Sequence, residues 1–435
     1  MGHSVSSDRS YQLLQRRLDE SLTGAPDSPV LLQILRLLFS PEEAELARQL
    51  PLRPTRLDEL SARLGIPERE LEERLTDWAQ RGLVLDLECE EVRYFALPPL
   101  VIGLYEFTFM RTREALPIGE LSRLFDEYAR QDDRFARSVF AGQTNLGRSL
   151  VREESLPPDD AAEVLDWEKA SRVIDSASSL GVSLCACRHH ATHLGRACDA
   201  PQRCCLSLNF AADMLVRAGS AEPISSAEAM QILQQCKDAG LMQIGDNVQR
   251  QVAYICNCCS CCCGMIDALK RFDLPRAIAT SNWIVAVDEA TCNGCGKCAK
   301  ACPVDAIEIV ARDEGGTTRR RAVVNEKLCL GCGVCCQACP ETASRMKPRP
   351  QRVHTPESVF DRTVLMAIER GKLGQLIGDA PNRFGHRALG RIISLVEKTP
   401  VLKAALNIGP LRSAFLNRIV VSAKRETGPL RSLLE

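Results

Sequence analysis

All but one of the 22 cysteines in this 435-residue chain fall between positions 185 and 339, and that crowding constrains the fold more than any other feature. Within it one pattern occurs twice. Cys292, Cys295, Cys298 and Cys302 run into Pro303, and Cys329, Cys332, Cys335 and Cys339 run into Pro340 at the same spacing. The start, MGHSVSSDRS, has no apolar signal-peptide core, and no run of 18 apolar residues is present to span a bilayer. The chain is therefore expected in the cytoplasm, where thiols stay reduced and clustered cysteines are metal ligands more often than disulfides.

The spacing C-x2-C-x2-C-x3-C-P is that of cysteines gripping [4Fe-4S] cubes. Three close thiolates wrap three corners of a cube, and in the two-cluster arrangement the fourth comes from the other motif. This assigns Cys292, Cys295, Cys298 and Cys339 to one cluster, and Cys329, Cys332, Cys335 and Cys302 to the second. Zinc fits less well, since it is usually held by two separated C-x2-C pairs. Gly294, Gly296, Gly331 and Gly333 let backbone amides approach the sulfurs and tune the potential. With Asp305-Ala306-Ile307 and a hairpin over 307–324 that turns at Gly315-Gly316, residues 281–346 closely resemble the bacterial two-[4Fe-4S] ferredoxin domain. The resemblance implies that domain's fold, two [4Fe-4S] clusters and one-electron transfer. Cys336 has no place in the pattern and is expected to be a core residue.

Eleven further thiols lie upstream. Cys185, Cys187, Cys198, Cys204 and Cys205 form one loop set, and the segment Ile255-Cys256-Asn257-Cys258-Cys259-Ser260-Cys261-Cys262-Cys263-Gly264 supplies six more. Packing does not require so many thiols in two loops, so one or two additional iron–sulfur clusters are expected there. The leading ligands are Cys185, Cys187, Cys198 and Cys204 or Cys205 for the first loop, and Cys256, Cys258, Cys259 and Cys262 for the second. Adjacent cysteines point apart, so not all can serve one cluster. Arg188 is expected to offset cluster charge, and His189, His190 and His193 to hydrogen-bond around it rather than ligate. Cys89 and Cys236 read as structural. The order of these motifs ahead of the ferredoxin module resembles large bacterial 4Fe-4S dicluster ferredoxin-family proteins. A fainter likeness to the CCG domains of heterodisulfide reductases fails on spacing, because residues 206–255 separate Cys205 from Cys256.

The expected fold class is α+β and multidomain. Residues 1–25 read as a flexible leader and 26–100 as a winged-helix-like domain, with helices over Pro29–Phe39, Leu57–Leu64 and Glu68–Arg81 and two wing strands at 83–87 and 92–97. Residues 101–165 form a helical connector, and 166–280 a mostly helical Cys-rich domain whose first helix spans 162–180 and whose next, capped by Ser225, ends at Gly240. Residues 281–346 are the ferredoxin-like domain, and 347–435 a basic helical tail with apolar stripes at Phe360–Ile368 and Leu389–Val396. Charge separates along the chain: residues 345–435 hold 17 Lys+Arg against 7 Asp+Glu, a local +10, which leaves −11 for the rest. The tail suits peripheral contact with an anionic membrane or an acidic partner, though such a pattern is more often an ordinary helix packed on its own protein. The would-be recognition helix carries Glu68, Glu70, Glu72, Glu73 and Asp77, so DNA binding is disfavoured.

No G-x-G-x-x-G or P-loop is present, so flavin or hydride chemistry would have to come from a partner. The expectation is an electron-transfer component of an oxidoreductase system, passing single electrons between a dehydrogenase or reductase, flavin-containing or not, and an acceptor. Two alternatives differ in class: a redox-sensing transcriptional regulator acting through the winged helix, and a catalytic reductase subunit acting at the upstream cysteines.

Overall fold

The computed structural model describes residues 7–112, 115–156, 165–314 and 317–379. Its N-terminal part is built from well-marked helices. Ser28 caps Pro29–Leu38 by accepting from the Val30 amide, and Ser40 with Glu43 closes a reciprocal capping box on Pro41–Ala47. Leu57–Leu64 and Glu68–Arg81 each stop at a glycine in the left-handed region, Gly65 (φ 68°) and Gly82 (φ 79°). An antiparallel hairpin, Leu85–Cys89 with Val92–Ala96, follows, and Thr55–Arg56 adds a third strand beside Val92–Ala96.

Residues 7–19, expected as part of a loose leader, form a 13-residue helix. Its Tyr11, Leu14 and Leu18 recur at helical spacing and bury in the main core, which outweighs the polar composition around them. Helices Tyr105–Phe109 and Ile118–Arg130 of the connector enter the same core through Phe107, Phe109, Leu121, Phe125 and Tyr128.

The Cys-rich region is not mostly helical. It is a six-stranded antiparallel sheet in the order Gly147–Ser149, Met242–Asp246, Tyr254–Cys258, Arg203–Leu208, Leu180–Leu184, Glu222–Pro223. Helices Ala170–Asp175, Ala186–His193, Asn209–Arg217, Ser226–Asp238 and Gly264–Arg271 surround it. The expected helix to Leu180 is replaced by the short Ala170–Asp175 and a strand in which Gly181 sits mid-run, while 157–164 lie outside the described residues. Short strands carrying Gly, Ser and Cys lack the β-branched alternation that would have marked them. Val182, Leu206, Leu208, Ile232, Leu233 and Ile255 form the core between sheet and helices.

Beyond Ser281 the two sequence repeats become two structural repeats. Lys297–Ala301 and Val334–Gln337 are short helices, each entered through a left-handed glycine, Gly296 (φ 81°) and Gly333 (φ 82°). Trp283–Val287 pairs with Ser344–Pro348, and Ile307–Glu314 pairs with Thr317–Val324. Gly315 and Gly316 lie outside the described residues, as does the tail stripe at Leu389–Val396; the earlier stripe is the helix Val359–Glu369. Among the described residues no helix is long and apolar enough to cross a membrane.

Candidate metal centres

The ferredoxin-like motifs fold so that each loop supplies thiols to two places. A small pocket is lined by Cys292, Cys295, Cys298 and, from the second motif, Cys339. On the other side Cys302 is an electrostatic neighbour of Cys329, Cys332 and Cys335. Backbone amides reach the sulfurs. Burial pushes the Cys302, Cys329 and Cys332 thiols up, and amides pull against it: those of Val304 and Ala306 at Cys302, Val285 and Gly331 at Cys329, and Val334 at Cys332. The Ala306 amide lies 3.2 Å from the Cys302 sulfur. At Cys339 the amides of Ser344, Ala343 and Glu341 prevail over burial and lower the thiol. Two sets of four neighbouring thiols, one of them around a small pocket, with amide donors at the sulfurs, offer the donor chemistry an iron–sulfur cube requires. Cys336 is half-buried beside Cys335.

The two sets differ in exposure. Cys295 is exposed, whereas Cys329, Cys332 and Cys335 are buried where the module meets the Cys-rich sheet. There the Arg152 amide donates to the Cys332 carbonyl (3.1 Å) and Ser155 Oγ to that of Gly333 (2.9 Å).

Upstream, the thiols sort by position in the fold rather than by loop. Cys187, Cys205, Cys256, Cys258 and Cys263 lie together, Cys258 and Cys263 buried and the other three half-buried, with side-chain pairings of Cys187 with Cys263, Cys205 with Cys256, and Cys258 with both Cys256 and Cys263. Cys256 and Cys258 share one face of their strand, as a period of two requires. Helices Ala186–His193 and Gly264–Arg271 begin here: the Gly264 amide donates to Cys187, and those of Met265 and Ile266 to Cys263. A second group is Cys198 with Cys259, Cys261 and Cys262, whose sulfurs all lie within 4.8 Å of one another. Cys185 and Cys204 form a third set, joined by Cys236 from helix Ser226–Asp238. Sequence reasoning had not selected Cys261, Cys263 or Cys236. The helical spacing around Cys236 gave no hint of Cys204, whereas alternation along 254–258 could have separated the second loop into two faces.

Arg188 joins these sets. It is fully buried and donates to Cys204 Sγ (2.6 Å), Cys259 Sγ (3.6 Å) and the Asn257 carbonyl (3.1 and 3.0 Å). Burial opposes its charge, but the Cys185, Cys204 and Cys259 sulfurs hold its pKa above the ordinary value. The histidines hold no sulfur. His189 Nδ1 meets the Phe109 carbonyl (2.8 Å), His190 bridges the Ser122 carbonyl (2.8 Å) and Tyr105 Oη (3.0 Å), and His193 meets His189 (3.2 Å).

The inner thiols open on a cavity of about 1040 Å³ between the Cys-rich sheet, helix Tyr105–Phe109 and helix Val359–Glu369. Tyr105, Phe125, Tyr254 and Met265 line it, as does Glu106. Glu106 accepts from the Gly103 amide (2.7 Å), yet burial pushes its carboxyl up to about 8.

Fold and thiol geometry together define a protein with a ferredoxin-type iron–sulfur module. Residues 291–343 match the family model of the 4Fe-4S dicluster domain, so this segment is a 4Fe-4S ferredoxin-type domain. No curated protein and no solved structure matches the chain. The domain and the wealth of cysteines indicate an iron–sulfur electron-transfer role.

Proposed function

We propose that the chain is a multi-cluster electron carrier of an oxidoreductase system. Cys292, Cys295, Cys298 and Cys339 would hold one [4Fe-4S] cluster, and Cys302, Cys329, Cys332 and Cys335 a second. Bound there, each cluster supplies a one-electron carrier. The inner group of Cys187, Cys205, Cys256, Cys258 and Cys263 has enough thiols close together for one further cluster. The observation that carries the reading is the crossing of the motifs, with Cys339 beside the first three thiols and Cys302 beside the second three. Exposed Cys295 marks the end at which a redox partner docks, and buried Cys329, Cys332 and Cys335 lie on the side of the Cys-rich sheet. The partner would be a dehydrogenase or reductase, with any flavin on its side. Anaerobic titration with dithionite tests this: uptake of about two electrons per chain or more, with bleaching of visible absorption, is expected. A chain that takes up none contradicts it.

The segment 26–100 we read as a winged helix adapted to protein contact. Its helix Glu68–Arg81 pairs its own charges, Arg69 with Glu73 (3.2 Å) and Arg74 with Glu70 (2.6 Å), and Arg93 of the hairpin binds Glu72 (2.8 Å). Few cations remain there for phosphate.

A second reading, a reductase acting at the inner thiols, is favoured by the cavity beside them, whose size suits a small-molecule ligand. Substrate-dependent change in the EPR spectrum of the reduced protein would support it, and an unchanged spectrum would count against it.

A further inference from the structure

Cys198 follows helix Ala186–His193, whereas Cys259, Cys261 and Cys262 form the turn between strand Tyr254–Cys258 and helix Gly264–Arg271. Folding brings the four together, with Cys198 Sγ 3.6 Å from Cys259 Sγ and Cys261 Sγ 3.6 Å from Cys262 Sγ. We propose that these four thiols bind a single tetrahedral thiophilic ion, Zn²⁺ or Fe²⁺, and not an iron–sulfur cluster.

Sulfur spacing carries the argument. Four thiolates about 2.3 Å from one ion at tetrahedral angles stand about 3.8 Å apart. Two of the separations here are 3.6 Å and none exceeds 4.8 Å. A cube places a different iron beneath each thiolate, so its ligands must stand farther apart than ligands sharing one ion. Among the described residues this is the only group of three or more such side chains drawn so close. The eight cysteines of the ferredoxin module, which the proposed function places on cubes, are more widely set.

The surroundings suit a centre that is negative overall. Four thiolates around a divalent ion leave a charge of −2, and Arg188 Nη1 lies 3.6 Å from Cys259 Sγ. Lys270 Nζ also reaches the turn, 3.2 Å from Ser260 Oγ, but its charge is paired with Asp305 (2.5 Å), so Arg188 is the cation that faces the sulfurs. Four sulfurs complete the tetrahedron and leave no open position, which makes the ion structural. Its effect is to tie the 198 loop to the turn between strand Tyr254–Cys258 and helix Gly264–Arg271.

The full chain, purified without oxygen, is analysed for zinc, iron and acid-labile sulfide, as wild type and as Cys261→Ser, a change at an exposed position. The variant should lose about one zinc or iron per chain with labile sulfide unchanged. Which metal falls tells the two ions apart. Loss of about four irons together with sulfide would show a cube and overturn the proposal, as would unchanged metal. Cobalt-loaded wild type gives a readout that does not depend on the variant's folding. The intense visible bands of tetrahedral thiolate-bound Co²⁺ are expected, and their absence overturns the assignment. The ferredoxin module's sulfide is measured in the same samples. A failure of the electron-carrier reading would appear as sulfide missing from both proteins, separate from the one-ion difference.

Discussion

Arg188 shows how one residue can hold a thiol-rich site together. Its guanidinium faces two sulfurs and the Asn257 carbonyl from a fully buried position, so removing it leaves acceptors unpaired and thiols without their counter-charge. Arg188→Met should cost about 3–5 kcal/mol in denaturant unfolding, and Arg188→Lys, which keeps the charge but loses the fork, somewhat less. A methionine variant as stable as wild type would remove Arg188 from this role. Glu106 gives a pH test. Burial raises its carboxyl from the ordinary 4.5 to about 8 in the folded chain, so between those values the folded state holds a proton that the unfolded state has released. Stability from this group is therefore complete below about pH 4.5, falls as pH rises through the window, and levels off above about 8. Thermal melts across this range should show a shallower decline for Glu106→Gln than for wild type; parallel curves would contradict the assignment. Arg188 was legible as a charge partner because it sits within the C-x-C-R sequence. Glu106 was not, because only the tertiary cavity makes it unusual.

At the scale of elements, what the sequence announced were structures with local punctuation. Ser40 with Glu43, Gly65, Gly82 and Ser225 mark helix ends through hydrogen bonds or backbone angles that neighbouring residues dictate, and the observed helices begin and end there. The strands Leu180–Leu184 and Arg203–Leu208 carry no such mark; they exist because the sheet pairs them, and pairing is a long-range property. Two left-handed glycines separate local from tertiary demands. Gly65 (φ 68°) has nothing within 4 Å of an added Cβ, so Gly65→Ala should cost only the backbone strain of about 1–2 kcal/mol. At Gly331 (φ 71°) the same Cβ would collide with the Trp283 carbonyl, and Gly331→Ala should cost more and lower the sulfide retained by the module. Equal thermal shifts and equal sulfide in the two variants would refute that distinction. Helix Glu68–Arg81, with its arginines already paired, should give no band shift with duplex DNA at about 50 mM salt. A shift there would favour the regulator.

In the whole molecule, the ferredoxin-type domain was legible because the spacing of its cysteines is local, and the crossed fourth ligand is what the resemblance to two-cluster ferredoxins implies. Upstream, the thiol-rich loops were legible but their partition was not. Cys198 joins Cys259, Cys261 and Cys262, while Cys187 and Cys205 join Cys256, Cys258 and Cys263, because the sheet order sets strand Arg203–Leu208 beside Tyr254–Cys258. That pairing spans about fifty residues and leaves no trace in spacing. The central claim is that the thiols between 292 and 339 hold two iron–sulfur cubes, and iron with acid-labile sulfide per chain, on protein purified without oxygen, tests it most directly. The account predicts about eight of each from the module, rising to about twelve with the inner thiols loaded. A colourless preparation, or one in which zinc replaces iron and sulfide is missing, would contradict it.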